Sequence, residues 1–181
     1  MDTSMSEAAT PDLYYLEYYE EFLAKVRLLA RKIREDDWSP EFVIGVGRGG
    51  LVPAVYISHQ LDLPMLSIDH SSRVPGFADE LLAKIAAMSA SGSRLLFVDD
   101  INDSGSTIGY IRDLLVNHGC AAANLRFAVL INNSGSHAQV DYWTDMIDRA
   151  EDKRWFVFPW ESVSSKEVLI DEALSVPARL E

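Results

Sequence analysis

The segment from Leu95 to Thr107 reads LLFVDDINDSGST and joins a strand pattern to a loop of small residues. Its apolar run ends in two adjacent acids, Asp99 and Asp100, and a third acid, Asp103, precedes the small residues. Adjacent carboxylates raise each other's pKa unless they face hydroxyls, a cation or water. The serine, glycine and threonine residues offer N–H and O–H donors at a predicted helix start, where anions bind. The pattern indicates acids that accept sugar hydroxyls beside a phosphate cradle. A solvated acid pair, with Asp103 as a helix cap, is the alternative.

On both sides of this segment, apolar runs alternate with stretches of helical periodicity. The predicted strands cover residues 42–46, 65–69, 95–98, 125–131 and 140–146. The predicted helices cover residues 14–34, 51–60, 79–88, 107–118 and 164–174. Strands that are apolar throughout and alternate with helices are typical of a parallel sheet covered on both faces. We therefore expect a single α/β domain over residues 14–181, preceded by a disordered tail over residues 1–13.

The composition limits the classes of partner. The chain has 181 residues and a formal net charge of −12, which disfavours non-specific binding to nucleic acid or to an anionic membrane. The single cysteine, Cys120, permits no intrachain disulfide, and no apolar run has the length of a signal peptide or a membrane span. These features predict a cytoplasmic protein that binds neither nucleic acid nor membrane.

A second loop, GVGRGG, also follows a predicted strand and precedes a helix. Gly45, Gly47 and Gly50 have the spacing of a dinucleotide-binding fingerprint, and Asp69 would be its ribose-binding acid. Against this interpretation, a long helix precedes the motif, whereas the fingerprint usually opens its domain, and the acidic loop is left unexplained. Arg48 within the loop would suit a diphosphate.

Three segments resemble motifs of one family, the type I phosphoribosyltransferases. LLFVDDINDSGST is similar to the family's signature for binding phosphoribosyl diphosphate (PRPP), and VIGVGRGGLVPA is similar to the diphosphate loop of the purine branch. RWFVFPWE is similar to a tail motif of the xanthine–guanine and hypoxanthine enzymes. The segments occur in family order, and the resemblance covers roughly residues 14–162. It implies a Rossmann-like parallel sheet flanked by helices, a small hood over residues 132–162 and a flexible lid loop over residues 70–93.

The resemblance also implies an activity. Enzymes of this branch are Mg²⁺-dependent glycosyltransferases of purine salvage, which transfer the ribose 5-phosphate of PRPP to a purine base and release diphosphate. They are commonly homodimers or tetramers. For this chain the resemblance implies the same reaction, with xanthine, guanine or hypoxanthine as the base.

Residues that match the motifs receive roles from the resemblance. Asp103 would be the general base near the ring nitrogen that is alkylated. The residues that would bind PRPP are Arg48, Gly49, Gly50, Asp99, Asp100, Ser104, Gly105, Ser106 and Thr107. Trp155 would stack on the purine, and Phe156 would contact its edge through the backbone. The acids near Mg²⁺ would be Asp99, Asp100 and Glu161.

The chain departs from the family pattern in two places. Enzymes for 6-oxopurines usually carry a lysine after the fourth strand, where this chain has Asn132 and Asn133. An amide there can donate to an oxo group or accept from an amino group, so both asparagines are predicted to bind the base. In the lid, Ser71, Ser72 and Arg73 replace the usual Ser–Tyr pair. One alternative is therefore a family member that senses PRPP or nucleotides without turnover, and a second is a dinucleotide-binding oxidoreductase.

Overall fold

The computed structural model describes residues 11–15, 19–69 and 79–175, in which seven strands and five α-helices occur. The strands are β1 (Leu13–Tyr15), β2 (Phe42–Val46), β3 (Met65–Ile68), β4 (Leu95–Asn102), β5 (Leu125–Asn133), β6 (Tyr142–Ile147) and β7 (Trp155–Val157). The helices are α1 (Tyr19–Glu35), α2 (Gly47–Leu61), α3 (Asp79–Ala90), α4 (Ser106–Asn117) and α5 (Lys166–Leu174). Within these described ranges, none of the helices combines the length and the hydrophobicity that a membrane span requires.

Five strands form one parallel sheet in the order β3-β2-β4-β5-β6. Val43 of β2, for example, lies between Met65 of β3 and Leu96 of β4. The chain passes from β2 outward to β3 and then crosses back to β4, so the strand order reverses between β2 and β4. In open α/β sheets, ligands bind outside the carboxyl ends of the strands at such a switch point. The sheet confirms the predicted α/β fold and indicates where a ligand site would lie.

Helices cover both faces of the sheet, and each face has its own hydrophobic core. On the face covered by α1 and α2, Phe22 and Leu29 are buried in one cluster with Leu96 of β4. On the face covered by α3 and α4, Leu82 is buried in a second cluster with Phe97 of β4. The strands are apolar along both sides because both faces are covered.

Helix α1 illustrates how the sequence produces this layering. Its apolar residues recur every three or four positions, and the buried ones are Phe22, Val26, Leu29, Ala30 and Ile33. Glutamates occupy its first turn and basic residues its last turn, which complements the helix dipole. One face of the helix therefore packs on the sheet while the charged face meets solvent.

Strand β1 corrects the predicted N-terminal boundary. Leu13–Tyr15 pairs in parallel with β7, in a separate two-stranded sheet within the predicted hood. The backbone N–H of Trp155 also donates to the carbonyl oxygen of Asp12 at 2.7 Å. The prediction of a tail through residue 13 and a helix from residue 14 is therefore wrong at this junction, because the strand is created by pairing with a distant segment.

Strand β4 and helix α2 are both longer than predicted. The predicted strand ended at Val98, but β4 continues beside β5 as far as the pair of Asn102 and Asn132. Asp99 and Asp100 therefore lie inside the carboxyl end of the strand. Helix α2 begins at Gly47, so the glycine loop forms its first turn.

Part of the predicted lid is a packed helix. Asp79–Ala90 forms α3, whose residues Leu82, Ile85 and Ala86 are buried. The polar start of the predicted lid, residues 70–78, lies outside the described residues. This segment includes Ser71, Ser72 and Arg73. A flexible lid loop therefore stays a prediction for residues 70–78.

Candidate active site

Two helices begin side by side at the switch point of the sheet. Helix α2 follows β2 directly, and α4 begins shortly after β4. Their N-cap residues, Val46 and Gly105, make no side-chain cap hydrogen bond. Two uncapped helix N-termini provide N–H groups and partial positive charge, both of which favour anions.

Glycines allow these helix starts to approach β4 closely. A Cβ atom on Gly49 would overlap the Asp100 carboxylate, and one on Gly50 would overlap a carbonyl oxygen of β4. Gly105 has a φ of +91°, which other residues rarely adopt, and a Cβ there would overlap the loop at residues 136–138. A side chain at Gly49 or Gly50 would therefore push the start of α2 away from the acidic end of β4, and one at Gly105 would push the start of α4 away from the loop at residues 136–138.

The larger of two adjoining cavities has a volume of about 470 Å³ and lies at this switch point. Residues from all three sequence motifs line it, including Arg48, Asp99, Asp100, Thr107 and Glu161. The structure therefore brings together the glycine loop, the acidic strand end and the aromatic tail motif. The volume is in the usual range for small-molecule sites.

The paired acids lack a counterion in the described part of the chain. Burial raises the pKa of Asp99 to about 7. Burial also raises the pKa of Asp100 well above its usual range, and the charges of Asp99 and Glu161 add to this effect. The backbone N–H of Asp100 donates to the Asp99 carboxylate at 3.0 Å, and that of Ile101 donates to the Asp100 carboxylate at 2.7 Å. These hydrogen bonds offset part of the free-energy cost of burying the two charges. Neither acid joins a salt bridge among the described residues. A cation or a hydroxyl group of a ligand would therefore stabilise the two buried carboxylates.

Glu161 and Arg48 carry opposite charges on the wall of the larger cavity. Burial raises the pKa of Glu161, whose carboxylate accepts a hydrogen bond from the Phe158 N–H at 2.9 Å. The side chain of Arg48 is 84% exposed and lies 3.9 Å from a carboxylate oxygen of Glu172. Arg48 is therefore a loosely held cation that can move onto an anionic ligand.

The resemblance implies Mg²⁺, and the acids fit an ion that is shared with a ligand. Among the described residues, no group of three or more Asp, Glu, His or Cys side chains is placed to enclose a metal ion. Mg²⁺ is commonly bound by one or two carboxylates together with substrate oxygens and water. Asp99 and Asp100, without a counterion and with Glu161 near Asp100, suit that mode of binding.

The smaller cavity has a volume of about 230 Å³ and adjoins the larger one, since Asp100 and Glu161 line both. Its other lining residues are Ile101, Asp103, Arg149, Trp155, Phe156 and Phe158. Apolar and aromatic side chains form half of this lining, and the charged groups of Asp100, Asp103, Arg149 and Glu161 form the other half. Such a wall suits a flat heteroaromatic ring.

Asp103 and Arg149 form a bidentate ion pair in the smaller cavity. Nε and Nη2 of Arg149 donate to Oδ1 and Oδ2 of Asp103, each at 2.8 Å. Nη1 donates to the carbonyl oxygens of Asp152 and Arg154 at 3.1 and 2.7 Å. The guanidinium also lies 5.1 Å from the centre of the Phe156 ring. These contacts stabilise the charge of a residue that is only 8% exposed.

The loop from Ser104 to Thr107 presents hydroxyl groups at the start of α4. Ser104 and Ser106 are exposed, and their hydroxyl oxygens lie 2.8 Å apart. The Ser106 N–H donates to the Ser104 hydroxyl at 3.2 Å. The N-cap of α4 is Gly105, and no side chain caps the helix. The alternative in which Asp103 is a helix cap is therefore wrong.

The two asparagines predicted to bind the base make contacts within the protein instead. Oδ1 of Asn132 accepts a hydrogen bond from Asn102 at 2.7 Å. Nδ2 of Asn133 donates to the carbonyl oxygen of Asp103 at 3.0 Å, and its Oδ1 accepts from the backbone N–H of Arg149 at 3.2 Å. Both side chains are nearly buried, and neither lines the two cavities described above. Asn133 therefore bridges the backbone of the ion-pair residues, and Asn132 supports the neighbouring strand. A contact between either amide and a base stays a prediction.

Arg149 is the site residue that inspection of the sequence missed. It lies in the segment DMIDRAEDKRW, where acidic and basic residues alternate without a recognisable motif. Its partner, Asp103, is 46 positions away. No spacing rule connects the two residues, and only the folded chain brings them together.

Comparisons with known proteins agree with this geometry. The chain matches the family model described as "Phosphoribosyl transferase domain" over residues 15–164. A xanthine-guanine phosphoribosyltransferase from Cereibacter sphaeroides is 29% identical over 125 residues, which cover 66% of this chain and 68% of that protein. A purine phosphoribosyltransferase from Pyrococcus horikoshii superimposes with a TM-score of 0.64 and 28% identity, covering 85% of this chain and 97% of that chain. A Neisseria gonorrhoeae protein solved with bound ppGpp shares the fold, with a TM-score of 0.65, 18% identity, and coverage of 96% and 99%.

The family match includes the glycine loop, the acidic strand end and the whole aromatic tail motif. The dinucleotide interpretation of GVGRGG therefore loses its basis, because the same loop is part of a phosphoribosyltransferase domain. This chain belongs to the phosphoribosyl transferase domain family and, by its fold and its named relatives, to the purine branch of the type I phosphoribosyltransferases.

Proposed function

We propose that this protein transfers the ribose 5-phosphate of PRPP to a purine base, in the presence of Mg²⁺, and releases diphosphate. The observation that carries the proposal is the meeting of two unlike cavities at Asp100 and Glu161. Helix starts and acids in the larger cavity suit a sugar phosphate, whereas the rings of the smaller cavity suit a base. The new bond would form where the cavities meet. Relatives named for purine transfer support the same reaction.

In this proposal the larger cavity binds PRPP. The start of α4, with the segment Ser104 to Thr107, binds the ribose phosphate through N–H and O–H donors. The start of α2, including Gly49 and Gly50, binds the diphosphate together with Arg48. Asp99 and Asp100 accept hydrogen bonds from the ribose hydroxyls, which removes part of the cost of burying two acids.

Charge develops on the diphosphate as it leaves. Mg²⁺, bound by PRPP with Asp99 and Asp100 and with Glu161 nearby, would supply positive charge to the leaving group. The chain itself contributes Arg48, which is free to swing onto the diphosphate because it is so exposed. The two helix starts hold the anomeric carbon toward the smaller cavity, so that the reacting atoms are close.

The smaller cavity binds the purine between apolar and aromatic residues that include Trp155 and Phe156. Asp103 accepts a proton from the imidazole edge of the base, which leaves a ring nitrogen with a lone pair for attack. The C–N bond forms as the C–O bond to diphosphate breaks, and the electron pair of that bond leaves with the diphosphate. A general base of this kind typically contributes about 10²- to 10⁴-fold in rate.

A product assay tests the proposal and identifies the base. The protein is incubated with PRPP and Mg²⁺, and guanine, xanthine, hypoxanthine and adenine are offered separately. Each nucleoside monophosphate is separated by chromatography, and diphosphate release is measured in the same samples. We expect a monophosphate from at least one 6-oxopurine, with one diphosphate released for each product formed.

The sensor alternative makes a different prediction for the same assay. PRPP that binds without forming any monophosphate would favour a regulatory protein and would refute the transferase proposal. A sample without PRPP and a sample with EDTA serve as controls for contaminating nucleotides and for the metal requirement.

By the same resemblance, we propose that the protein is a homodimer or a tetramer. Size-exclusion chromatography with light scattering distinguishes these assemblies from a monomer.

A further inference from the structure

The smaller cavity has one cationic side chain, Arg149, among its described lining residues. The amides predicted to meet the base, on Asn132 and Asn133, hydrogen-bond within the protein instead. Arg149 is therefore the charged donor available to a base in this cavity. The hydrogen bonds of Arg149 show which of its N–H donors remain available to a ligand.

Four of the five N–H donors of Arg149 are accepted by the described residues. Nε and one N–H of Nη2 bind the carboxylate of Asp103. Both N–H groups of Nη1 bind carbonyl oxygens, those of Asp152 and Arg154. Because a guanidinium has five donors, one N–H of Nη2 has no acceptor in the described part of the chain.

The ion pair presents a donor and an acceptor side by side. In a planar bidentate pair, the second N–H of Nη2 and the outer lone pair of the facing carboxylate oxygen lie on the same side. Here those atoms are Nη2 of Arg149 and Oδ2 of Asp103, which are 2.8 Å apart. The outer edge of the pair is therefore an N–H donor next to a carboxylate acceptor, and both residues line the smaller cavity.

A 6-oxopurine carries the complementary groups. Its O6 accepts a hydrogen bond, and its N7, when protonated, donates one; arginine commonly binds this edge of guanine. A 6-aminopurine places an N–H donor where O6 would be. That donor would face the guanidinium of Arg149, and neither N–H would have an acceptor.

Arg149 is held in place too firmly to turn away from a mismatched base. Two carbonyl oxygens and the Asp103 carboxylate bind it, the Phe156 ring lies beside it, and it is only 8% exposed. A site built around a fixed, buried donor discriminates strongly against a ligand that lacks the acceptor.

We propose that Arg149 selects 6-oxopurines over 6-aminopurines by donating from Nη2 to O6, while Asp103 accepts the N7–H of the same base. This inference rests on the proposed function, and it names the substrate class of that site. Arg149 would then donate to the exocyclic group of the base, the role predicted for Asn132 and Asn133, although it lies in a different part of the chain.

The test compares two bases in three proteins. The bases are guanine and 2,6-diaminopurine, which differ in the group at position 6 and in the N1 proton. The proteins are the wild type, Arg149→Gln and the matched control Arg154→Gln. Arg154 belongs to the same segment and lies 5.8 Å from the centre of the same Phe156 ring, but its side chain is 42% exposed and does not line the smaller cavity.

We expect the wild type to prefer guanine in kcat/KM by about 10- to 100-fold, the effect of one hydrogen bond to a charged group. Arg149→Gln should reduce the preference by a similar factor. Arg154→Gln should leave it within about threefold of the wild-type value, because the Arg154 side chain donates to the Asp152 carboxylate and does not line the smaller cavity. Circular dichroism and calorimetric PRPP binding establish that each variant is folded.

Two results would overturn the inference while leaving the proposed function intact. One is a wild-type enzyme that uses both bases equally well, a result that does not depend on any variant folding. The other is a folded Arg149→Gln protein that keeps the wild-type preference; if that variant does not fold, Arg149→Met, which removes every donor and the charge, takes its place. A wild type that makes no monophosphate from any base would instead show that the proposed function has failed, and the inference with it.

Discussion

Replacing Asp99 with asparagine should stabilise the protein and weaken its binding of PRPP. Burial raises the pKa of Asp99 from 3.8 to about 7 in the folded chain, whereas the unfolded chain exposes the acid. Between these two values the folded state binds more protons than the unfolded state, so the free energy of unfolding falls as pH rises. The stability that the protonated acid contributes is fully present below the unfolded pKa and is lost as pH rises through about 7.

The size of the effect follows from the same values. A pKa raised from 3.8 to about 7 corresponds to an upper limit of about 4 kcal/mol above neutral pH. Asp99 lines a cavity and is partly exposed, so we expect Asp99→Asn to gain about 1–2 kcal/mol, since solvent screens part of the charge. Asparagine can also keep the hydrogen bond from the Asp100 N–H. For a domain of this size the gain corresponds to a rise in Tm of about 2–8 °C.

Thermal unfolding of the wild type and Asp99→Asn, without PRPP or Mg²⁺, measures this gain at an acidic and at a mildly alkaline pH. The gain should be clear at alkaline pH and much smaller at acidic pH, where the wild-type acid is already protonated. Asp113→Asn, at an exposed acid of α4, serves as a control and should change neither Tm. An Asp99→Asn protein that is less stable than the wild type at alkaline pH would refute the reasoning, because the charge would then be stabilised in the free protein.

Three further predictions concern the site and its supports. Asp103→Asn removes the proton acceptor, so turnover should fall about 10²- to 10⁴-fold; a collapse of calorimetric PRPP affinity would show that this residue has a structural role instead. Gly50→Ala should lower Tm by at least about 4 °C, because its Cβ overlaps β4, whereas Gly109→Ala has open space and should not lower Tm in the same scan. Arg48→Ala should leave the free energy of unfolding within about 0.5 kcal/mol and weaken PRPP binding about tenfold in calorimetry; unchanged affinity would contradict a contact with the diphosphate.

The main sheet could be predicted from the sequence because its signals are local. Phe42–Val46 is a continuous apolar run, ended by glycines, and it forms β2 with the predicted bounds. Residues 125–131 form a similar run, interrupted by Arg126, and β5 extends it to Asn133. Apolar strands that alternate with amphipathic helices leave few arrangements other than a covered parallel sheet.

Boundaries that depend on distant partners could not be predicted in this way. Strand β1 exists because Leu13–Tyr15 pairs with β7 near the other end of the chain. Strand β4 continues past two acids because β5 extends alongside it as far as the pair of Asn102 and Asn132. Charge and local hydrophobicity end a predicted strand at Val98, whereas backbone pairing determines where the strand ends in the fold.

The candidate site was predictable in outline but not in its hydrogen bonds. In a parallel sheet the carboxyl ends of neighbouring strands lie together, so the meeting of the glycine loop and the acidic strand end follows from the topology. The positions of Asn132 and Asn133 could be inferred from the resemblance, but their hydrogen-bond partners could not, since those depend on Asn102 and on the segment around Arg149. A lone arginine in a charged segment carries no signal of its burial.

The central claim is that PRPP and a purine are joined in two adjoining cavities of this protein. A single-turnover experiment with PRPP labelled in the ribose, excess protein, Mg²⁺ and guanine tests the claim most directly. After rapid quenching, we expect the label in guanosine monophosphate, with an equal amount of diphosphate released. Label that stays in bound PRPP, or that appears only as ribose 5-phosphate, would contradict the claim, because the protein would then bind or hydrolyse PRPP without transferring it to the base.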